Sequence, residues 1–413
     1  MFNPSLLEHL LRKSYTVPYV DSLVAVNNAL YAILDEDTSA GGDRVVVPVQ
    51  YGDLPTNSAD LATSQSLADA GTIKGVKFEI DVKPYYVLAR IPGKTVRASR
   101  SNKEAFWNAL STSIDRAMKR YGNIQAFYAY GNGYGSLGAS TFTGATITFT
   151  NPESTYPIEV GNKLCCSASE SGAVLRNSGA TVTVLSVNRK TGVVVCTGNV
   201  TTGIAAAVSG DIFFFSGDRE NSATPARLVT TGLSAWIPRT APSAAESFNL
   251  VDRSVDSRLY GNVISGVLGD VREKIIDAVT EIDAQGGTAT HVILPTRKFG
   301  TLLKDLEATK TRYERTTTSA RNAVVSFPGI EFDTQFGTLT VLSDRNCDPN
   351  DGWVIDKDSW KRHSMGKTPD FINAEAGKTL FVYNADALEI RVGGYSDMSC
   401  AAPSHNARIT WDV

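Results

Sequence analysis

The sequence predicts an α+β protein in which a small all-β domain is inserted into a larger body. Three observations predict this class. Residues 102–130 carry one long helical pattern, residues 139–217 carry short strand-like runs with almost no helical periodicity, and helices followed by strands return after residue 217. Helical and strand-forming segments that are segregated along a chain in this way are typical of α+β folds.

The composition describes a folded protein without a dominant charge. The 413 residues are enough for two or three domains, and the chain is 42% hydrophobic and 20% charged. Lys and Arg number 40 and Asp and Glu number 43, so the net charge is −3. A global basic field of the kind that drives nucleic-acid binding is therefore excluded. The N-terminal residues MFNPSLLEHLLRKS lack the apolar run of a signal peptide, and no segment approaches the ~20 apolar residues of a membrane span.

Residues 1–44 are predicted to form an arm, and the segment after it is predicted to form a long hairpin. RVVVPVQ (44–50) and VKFEIDVKPYYVLARI (76–91) are strand-like, and a long polar segment connects them. A two-stranded hairpin is marginally stable alone in water. We therefore expect it to lie on the body of the chain or on a neighbouring subunit, which is a first indication of assembly.

Residues 102–130 are predicted to form a rod-like helix roughly 40 Å long. Asn102 is a candidate N-cap, and Glu104 lies in the first turn, where the helix dipole favours a carboxylate. An apolar stripe at steps of three or four residues follows one face, comprising Phe106, Leu110, Ile114, Ala117, Tyr121, Ile124 and Tyr128.

The segment 139–217 has a different character. Its β-like runs are evenly spaced and are separated by turns that contain Gly or Asn, as in ATITFT, EVGNKL, TVTVLSVN, GVVVCTG and DIFFFSG. Regular short strands of this kind predict a small barrel or a sandwich. We interpret the segment as a self-contained β-domain inserted into the larger fold.

Helices and strands alternate less regularly after the insert. A helix is predicted from the stripe Val263, Val267, Val271, Ile275, Val279 and Ile282, ended by Gly286 and Gly287. THVILP (290–295) predicts a buried strand, and Thr296 begins a helix that carries Phe299, Leu302, Leu303 and Leu306. The remaining strands are predicted at IEFD, GTLTVLSD, GWVID, KTLFVYN and ALEIRVGG.

Two glycine-rich patterns resemble nucleotide-binding motifs but lack the required context. GYGSLG, Gly133 to Gly138, matches a dinucleotide-binding spelling, yet it follows a helix and precedes a strand, which reverses the required order. We therefore interpret it as the exit turn of the long helix. The three GKT triplets, at 93–95, 366–368 and 377–379, lack the glycine that a phosphate-binding loop places five residues before the GK.

No catalytic, cofactor-binding or metal-binding residues are predicted. The four histidines, His9, His291, His363 and His405, have no His or Cys at metal-ligand spacing. The cysteines, Cys165, Cys166, Cys196, Cys347 and Cys400, are odd in number and are interpreted as free thiols in a reducing compartment. The mixed-charge run Asp252, Arg253, Asp256 and Arg258 has two interpretations, a solvated face or charge pairing across a subunit boundary.

In its order of parts, the chain resembles the major capsid proteins of tailed bacteriophages, whose fold is named for the Hong Kong coliphage capsid (Hong Kong-97-like). RVVVPVQ to LARIPG resembles the extended E-loop of that family, and AFWNALSTSIDRAMKRYGNIQAFYAYGNG resembles its spine helix. REKIIDAVTEIDAQGGTATHVILPTRKFGTLLKDL resembles the helix–strand–helix of its axial domain. The resemblance covers about 330 residues, and the β-insert is an addition to it.

The resemblance implies a division of the chain into seven parts. These are an N-terminal arm (1–44), the E-loop hairpin (45–97), the spine helix of the peripheral domain (98–138), the inserted β-domain (139–217), the peripheral domain and connection (218–270), the axial domain (271–378) and the C-terminal strands that return to the peripheral and axial sheet (379–413).

The resemblance also implies a non-enzymatic shell subunit of the virion. Copies would assemble as hexamers and pentamers in the host bacterial cytoplasm, around double-stranded DNA contacted non-specifically at the inner face. Portal, scaffolding and possible decoration proteins are the implied partners, and no membrane is implied. Because the hairpin begins by residue 44, a separate scaffolding protein is expected unless the chain is already processed. Some family members cross-link through lysine, but Lys74, Lys77, Lys83 and Lys94 on the hairpin are predicted to be solvated.

Three alternatives remain at this point. An encapsulin-type nanocompartment shares the fold, although such chains are usually shorter and begin with a helix. A two-domain enzyme would place its site between the β-domain and the body, but the motifs above fail. A carbohydrate-binding surface protein is suggested by the Thr-rich insert, and the absence of a signal peptide counts against it.

Overall fold

A computed structural model describes most of the chain. The described residues are 29–42, 44–54, 56–68, 73–93, 103–244, 246–266, 270–308, 315–317, 328–334, 337–372, 380–382 and 385–411. The predictions for residues 1–28, for Lys94 and Asn102, and for the third GKT triplet lie outside them. Within the described ranges the fold is α+β, with sheets and a small closed barrel, and this prediction is confirmed.

The N-terminal part contains the hairpin and the strand that follows it. Its elements are α1 (Ala29–Ile33), β1 (Asp35–Asp37), β2 (Arg44–Gly52), α2 (Leu61–Ala68), β3 (Lys74–Asp81) and β4 (Lys83–Pro92). The run 76–91, predicted as one strand, divides at Val82 into β3 and β4. Strand β3 pairs with β2 from Arg44↔Asp81 to Gly52↔Lys74, whereas β4 joins a different sheet.

The long helix, α3 (Lys103–Tyr128), agrees with the predicted span to within two residues at each end. Its predicted stripe is buried from Ile114 onward, at Ala117, Tyr121, Ile124 and Tyr128. These residues pack against one face of β4 in the first half and against the barrel in the second half. The helix therefore joins the two parts of the molecule through one continuous apolar face.

The inserted segment forms a closed barrel. Its elements are β5 (Ser136–Thr143), β6 (Thr146–Phe149), β7 (Lys163–Ser167), β8 (Val182–Asn188), β9 (Val193–Cys196), α4 (Val200–Gly203) and β10 (Ile212–Phe215). The strands close in the order β10-β5-β6-β9-β8-β7. Of the two predicted alternatives, a barrel is found and a sandwich is not. The first strand begins at Ser136, inside GYGSLG, because Gly133, Gly135 and Gly138 all have positive φ and turn the chain out of α3 into β5.

The segment after the barrel leads into the second sheet. Its elements are α5 (Leu233–Trp236), β11 (Ser247–Phe248), β12 (Val251–Asp252), β13 (Asn262–Ile264), α6 (Val271–Ala284), β14 (His291–Pro295) and α7 (Thr296–Ala308). The helix predicted from Val263 begins only at Val271, because Val263 lies in β13, and Val267 lies outside the described residues. Strand β14 and helix α7 are found where the sequence predicts them.

The remaining elements are strands. They are β15 (Arg315–Thr317), β16 (Pro328–Thr334), β17 (Gly337–Asp344), β18 (Asp351–Ile355), β19 (Trp360–Ser364), β20 (Asp370–Phe371), β21 (Leu380–Phe381), β22 (Ala387–Cys400) and β23 (Ala407–Thr410). Strands β15, β19, β20 and β23 were not predicted from the sequence.

Two sheets organise the body. The seven-stranded sheet has the order β13-β23-β18-β14-β17-β16-β15 and packs its apolar residues against α6 and α7. The second sheet is built on the long strand β22, which pairs with β4, β19, β20 and β21, and β19 pairs in turn with β1. This second sheet lies on α3, so the hairpin that precedes β4 begins at the edge of a packed layer.

Candidate functional site

The root of the hairpin is packed into the body. Phe78 and Ile80 of β3 are fully buried, and the Phe78 ring lies 5.1 Å from the Trp236 ring and 6.2 Å from the Phe248 ring in edge-to-face geometry. Aromatic pairs of this kind add about 0.5–1.5 kcal/mol to the effect of apolar burial. The backbone N–H of Glu79 also donates to the Asn249 carbonyl at 3.2 Å. The direction in which the hairpin leaves the body is therefore fixed.

The far end of the hairpin is exposed and apolar. We call residues 53–73 the tip segment. It contains α2, whose Leu61 is 72% exposed, and its other exposed large apolar side chains are Leu54, Leu67 and Ile73. Asp60 caps α2 by accepting from the Thr63 N–H at 2.9 Å and from the Thr63 hydroxyl at 2.7 Å, and these bonds lower the pKa of Asp60. Several exposed apolar residues on one projecting element indicate a contact surface for another protein.

The mixed-charge run after β11 has a structural role that neither sequence interpretation included. Arg253 is only 1% exposed, its guanidinium lies 4.0 Å from the Phe248 ring centre, and it donates to the Ala235 carbonyl at 2.8 Å. Burial lowers the pKa of Arg253 to about 10. Arg253 thus stabilises the hairpin root instead of facing solvent or a neighbouring subunit. Asp256 and Arg258 form a local pair at 2.9 Å.

The residues that follow α1 are tied to the body by ion pairs. Strand β1 lies parallel to β19, and Arg362 donates to Glu36 at 3.0 Å. The His363 ring contacts Asp37 at 3.3 Å through Nδ1 and Ser399 Oγ at 2.9 Å through Nε2. His363 is thus a buried residue that connects β1 and β22 from its place on β19.

Lys83 departs from the prediction that the hairpin lysines are solvated. It lies at the start of β4, is 9% exposed, and its Nζ is 3.1 Å from Asp397 Oδ2 and 2.5 Å from Thr231 Oγ1. Asp397 also accepts from the Thr231 N–H at 2.6 Å. A buried charge is tolerated only when it is paired and hydrogen-bonded, and this network meets both conditions. Lys74 and Lys77, in contrast, lie on the exposed part of β3.

A groove of about 720 Å³ runs between β4 and the barrel. We call it the β4 groove. One wall is β4 from Lys83 to Leu88, the opposite wall is Phe215 to Asp218 with Arg227 to Val229, and the floor includes Arg120 and Ile124 of α3. The groove is therefore bordered by three parts of the molecule, namely β4, the barrel with the segment after it, and α3. A partner bound in the groove would contact all three.

Asp218 connects these three parts. Its Oδ2 accepts from the Tyr128 hydroxyl of α3 at 2.5 Å and from the Tyr85 hydroxyl of β4 at 3.2 Å. Burial raises the pKa of Asp218 to about 6, although the two tyrosine hydrogen bonds and the positive charge of Arg120 oppose that rise. Burial also raises the pKa of both tyrosines, so at neutral pH they remain hydrogen-bond donors.

A second cleft, of about 650 Å³, lies between the barrel and the seven-stranded sheet. Two of its three arginines form ion pairs, Arg189 with Glu159 at 2.9 Å and Arg297 with Glu153 at 3.1 Å, and the third, Arg345, donates to Asn123 Oδ1 at 3.2 Å. The Arg297–Glu153 pair joins the barrel to the start of α7, whereas the Arg189–Glu159 pair lies within the barrel. We interpret the cleft as a structural junction.

Metal-ligating and thiol side chains are distributed over the described residues. Across these ranges no group of three or more His, Cys, Asp or Glu side chains could hold a metal ion. The five thiols are free, as the sequence predicts, and they are all buried, and burial raises the pKa of each one. No helix within the described ranges is both long enough and apolar enough to cross a membrane.

Comparisons with known proteins agree with the resemblance read from the sequence. Residues 212–379 match the family model of the SU10 major capsid protein. The fold is similar to a chain of the cyanophage A-1(L) capsid asymmetric unit, with a TM-score of 0.54 and 10% identity over 93% of each chain. A chain from Microbacterium phage Oxtober96 aligns over 93% of this chain and 91% of its own at 10% identity, with a TM-score of 0.43.

A search of curated proteins finds no matching sequence. The prediction of a tailed-phage major capsid protein is nevertheless confirmed by the family match together with the capsid fold. The encapsulin alternative gains no support from these findings, since the matched family is a phage coat protein.

Proposed function

We propose that this phage major capsid protein assembles as hexamers and pentamers into an icosahedral shell around double-stranded DNA. The observation that carries the proposal is the hairpin, whose root is packed on the body through Phe78 and Ile80 while its tip segment exposes apolar side chains. Such a surface is suited to burial against another copy, at about 25 cal/mol per Å² of apolar area. Many modest contacts of this kind, repeated over a closed shell, are collectively hard to reverse.

The finer roles follow from this proposal. The chain acts as a structural protein without catalysis, which agrees with its buried, high-pKa thiols. With a net charge of −3, its contact with packaged DNA is non-specific and confined to local basic regions of the inner face. Portal, scaffolding and decoration proteins are the proposed partners, and assembly takes place in the cytoplasm of the bacterial host.

Removal of the hairpin tip tests the proposal. Replacing residues 53–72 by a short Gly-Ser linker removes α2 and leaves the packed root intact. We expect a soluble, folded chain that forms no shells, because the change removes exposed surface and no core residue. Sedimentation velocity and negative-stain microscopy measure assembly, and near-ultraviolet circular dichroism checks the fold. Normal shells from the deleted chain would contradict the role given to the hairpin.

A further inference from the structure

We propose that the solvent-exposed side of α3 and the second cleft beside it contact the phosphate backbone of packaged double-stranded DNA. The inference rests on the proposed shell assembly, and it assigns the surface of the subunit that lines the interior of the shell. We call this surface the basic face, and its cations are Arg116, Lys119 and Arg120 of α3 with Arg189, Arg297 and Arg345 of the cleft.

The first part of the basic face is a row of side chains on α3. Arg116, Lys119, Arg120 and Asn123 follow one another at steps of three or four residues, which places them on one side of the helix. This side lies opposite the apolar stripe that packs against β4 and the barrel. Arg116 and Lys119 are exposed, and neither has a carboxylate partner within the described ranges. The row therefore presents positive charge to solvent.

The second part is the cleft of about 650 Å³, which continues this row. Asn123, at the end of the row, lines the cleft, and the exposed Arg345 donates to its Oδ1 at 3.2 Å. The side chains of Arg297 and Arg189 are 70% and 42% exposed. A guanidinium has five N–H donors, so an arginine that is paired with one glutamate still has donors for a phosphate.

The basic face has an excess of positive charge. The carboxylates that line the cleft are Glu153 and Glu159, which pair with two of its arginines, and the half-buried Asp115 lies beside the row on α3. Six cations are thus opposed by three carboxylates, although the whole chain has a net charge of −3. The net charge conceals a local positive surface, and a local field is sufficient to attract a polyanion.

The exposed side of α6 carries the opposite charge. Of the two cations of α6, Lys274 is buried and Arg272 is half-buried. The exposed charged residues of this helix are all acidic, namely Glu273, Asp277, Glu281 and Asp283. DNA is repelled by such a surface and attracted by the basic face, so the two helices distinguish which side of the subunit can lie against the genome.

The spacing of the row is suited to a duplex. Seven residue steps separate Arg116 from Asn123, which corresponds to ~10.5 Å along α3. Double-stranded DNA carries one negative charge per about 1.7 Å of its length, so ~6 phosphates lie along the same distance. Arginine and lysine side chains that reach phosphates without entering a groove read no bases. The contact is therefore independent of sequence, and its repetition over many copies holds the DNA without fixing its position.

Binding of the unassembled chain to DNA tests the basic face. The probes are two short fluorescent duplexes of unrelated sequence, and fluorescence anisotropy measures binding between about 50 and 200 mM salt. We expect Arg116→Gln combined with Lys119→Gln to weaken binding about tenfold or more and to reduce the slope of log K against log salt concentration by about 2, and Arg345→Gln to reduce it by about 1. Both duplexes should behave alike. Glutamine has nearly the helix propensity of lysine and arginine, so the fold is kept, and circular dichroism checks this.

The matched control removes two positive charges elsewhere. Lys361 and Lys367 are exposed, and they lie neither on α3 nor in the cleft. Lys361→Gln combined with Lys367→Gln should leave both the affinity and the salt slope close to those of the wild type. A wild-type chain that does not bind DNA at the lowest salt, or a control as weak as the Arg116 and Lys119 variant, would overturn the basic face.

Closed shells test where the basic face lies. Linear plasmid DNA added from outside should bind unassembled subunits and should not bind intact shells, because the basic face is then enclosed. Plasmid binding to intact shells that depends on Arg116 and Lys119 would overturn the interior placement. A wild-type chain that forms no shell under any condition, while its DNA binding still depends on these two residues, would instead overturn the proposed shell assembly and leave the DNA contact standing.

Discussion

Replacement of Asp218 by Asn is expected to stabilise the protein at neutral pH and to remove part of its pH dependence. The carboxyl group is held between Tyr85, Tyr128 and Arg120, and both tyrosine hydroxyls donate to the same oxygen, Oδ2. An Asn side chain can place its amide oxygen at that position and keep both hydrogen bonds. It cannot acquire the negative charge that burial disfavours.

The size of the effect follows from the pKa. Burial raises the pKa of Asp218 from 3.8 to about 6, and each pKa unit corresponds to about 1.4 kcal/mol. Because the folded state binds this proton more tightly than the unfolded state, the contribution of Asp218 to stability is fully present below pH 3.8 and is lost as the pH rises through about 6. The side chain is partly exposed, so we expect Asp218→Asn to recover about 1–3 kcal/mol at pH 7.

Thermal unfolding followed by calorimetry between pH 4 and 8 measures this effect. We expect the variant to unfold at a higher temperature than the wild type at pH 7 and at a similar temperature at pH 4. Asp81→Asn, an exposed carboxylate of the same groove, is the control and should leave the midpoint unchanged. An Asp218→Asn midpoint at or below that of the wild type at pH 7 would refute the reasoning, because it would mean that the carboxylate charge stabilises this junction.

Two further predictions concern buried groups. Lys83→Met removes the cation that compensates Asp397 and should lower the free energy of unfolding, measured by urea denaturation, by about 3–5 kcal/mol. Combining Lys83→Met with Asp397→Asn should restore a large part of that loss. A single variant as stable as the wild type would show that the pair is dispensable. The five buried thiols should not react with a thiol reagent at pH 8 in the native chain and should all react in denaturant, so rapid native labelling would contradict their burial.

Sequence periodicity predicted those elements in which buried apolar residues recur at a regular spacing along the chain. The long helix was predicted to within two residues at each end because its apolar stripe continues through both halves of the molecule. A small barrel or a sandwich was predicted for the insert because its short strands are separated by glycine turns, and the structure has the barrel. In both cases the signal is local, and the packing partner does not need to be known.

The hairpin shows where periodicity fails. Residues 76–83 alternate and the apolar run from Tyr85 to Ala89 is strand-like as well, so apart from Pro84 the sequence carries little sign of the division at Val82. Strand β3 pairs with β2, but β4 pairs with β22, about 300 residues away along the chain. Which partner a strand selects is a tertiary property, and the same division turns Lys83 from a predicted solvated lysine into a buried one.

Two of the strands that were not predicted, β19 and β23, contain buried charges. In β19, Arg362 and His363 are buried because Glu36 and Asp37 of β1 accept from or contact them. In β23, Arg408 is buried through a bidentate pair with Asp351, at 3.1 and 2.5 Å. A charged residue in a sequence is expected to be exposed to solvent unless its charged partner is known. Each of these partners lies more than fifty residues away along the chain. No local sequence pattern identifies these ion pairs, and the sequence shows only that acidic residues are available to form them.

The two ends of the hairpin differ in whether their apolar side chains are covered by the chain itself. At the root, Phe78, Ile80 and Arg253 are buried on their own chain, so this part gains nothing further from assembly. At the tip, Leu54 and Leu61 are exposed, and Leu67 and Ile73 are exposed on the same projecting segment. The aspartates, serines and threonines of the tip already keep it soluble, so solubility does not explain the exposed leucines. Their presence on a fixed projection is explained when a second copy covers them, as the proposed shell assembly requires.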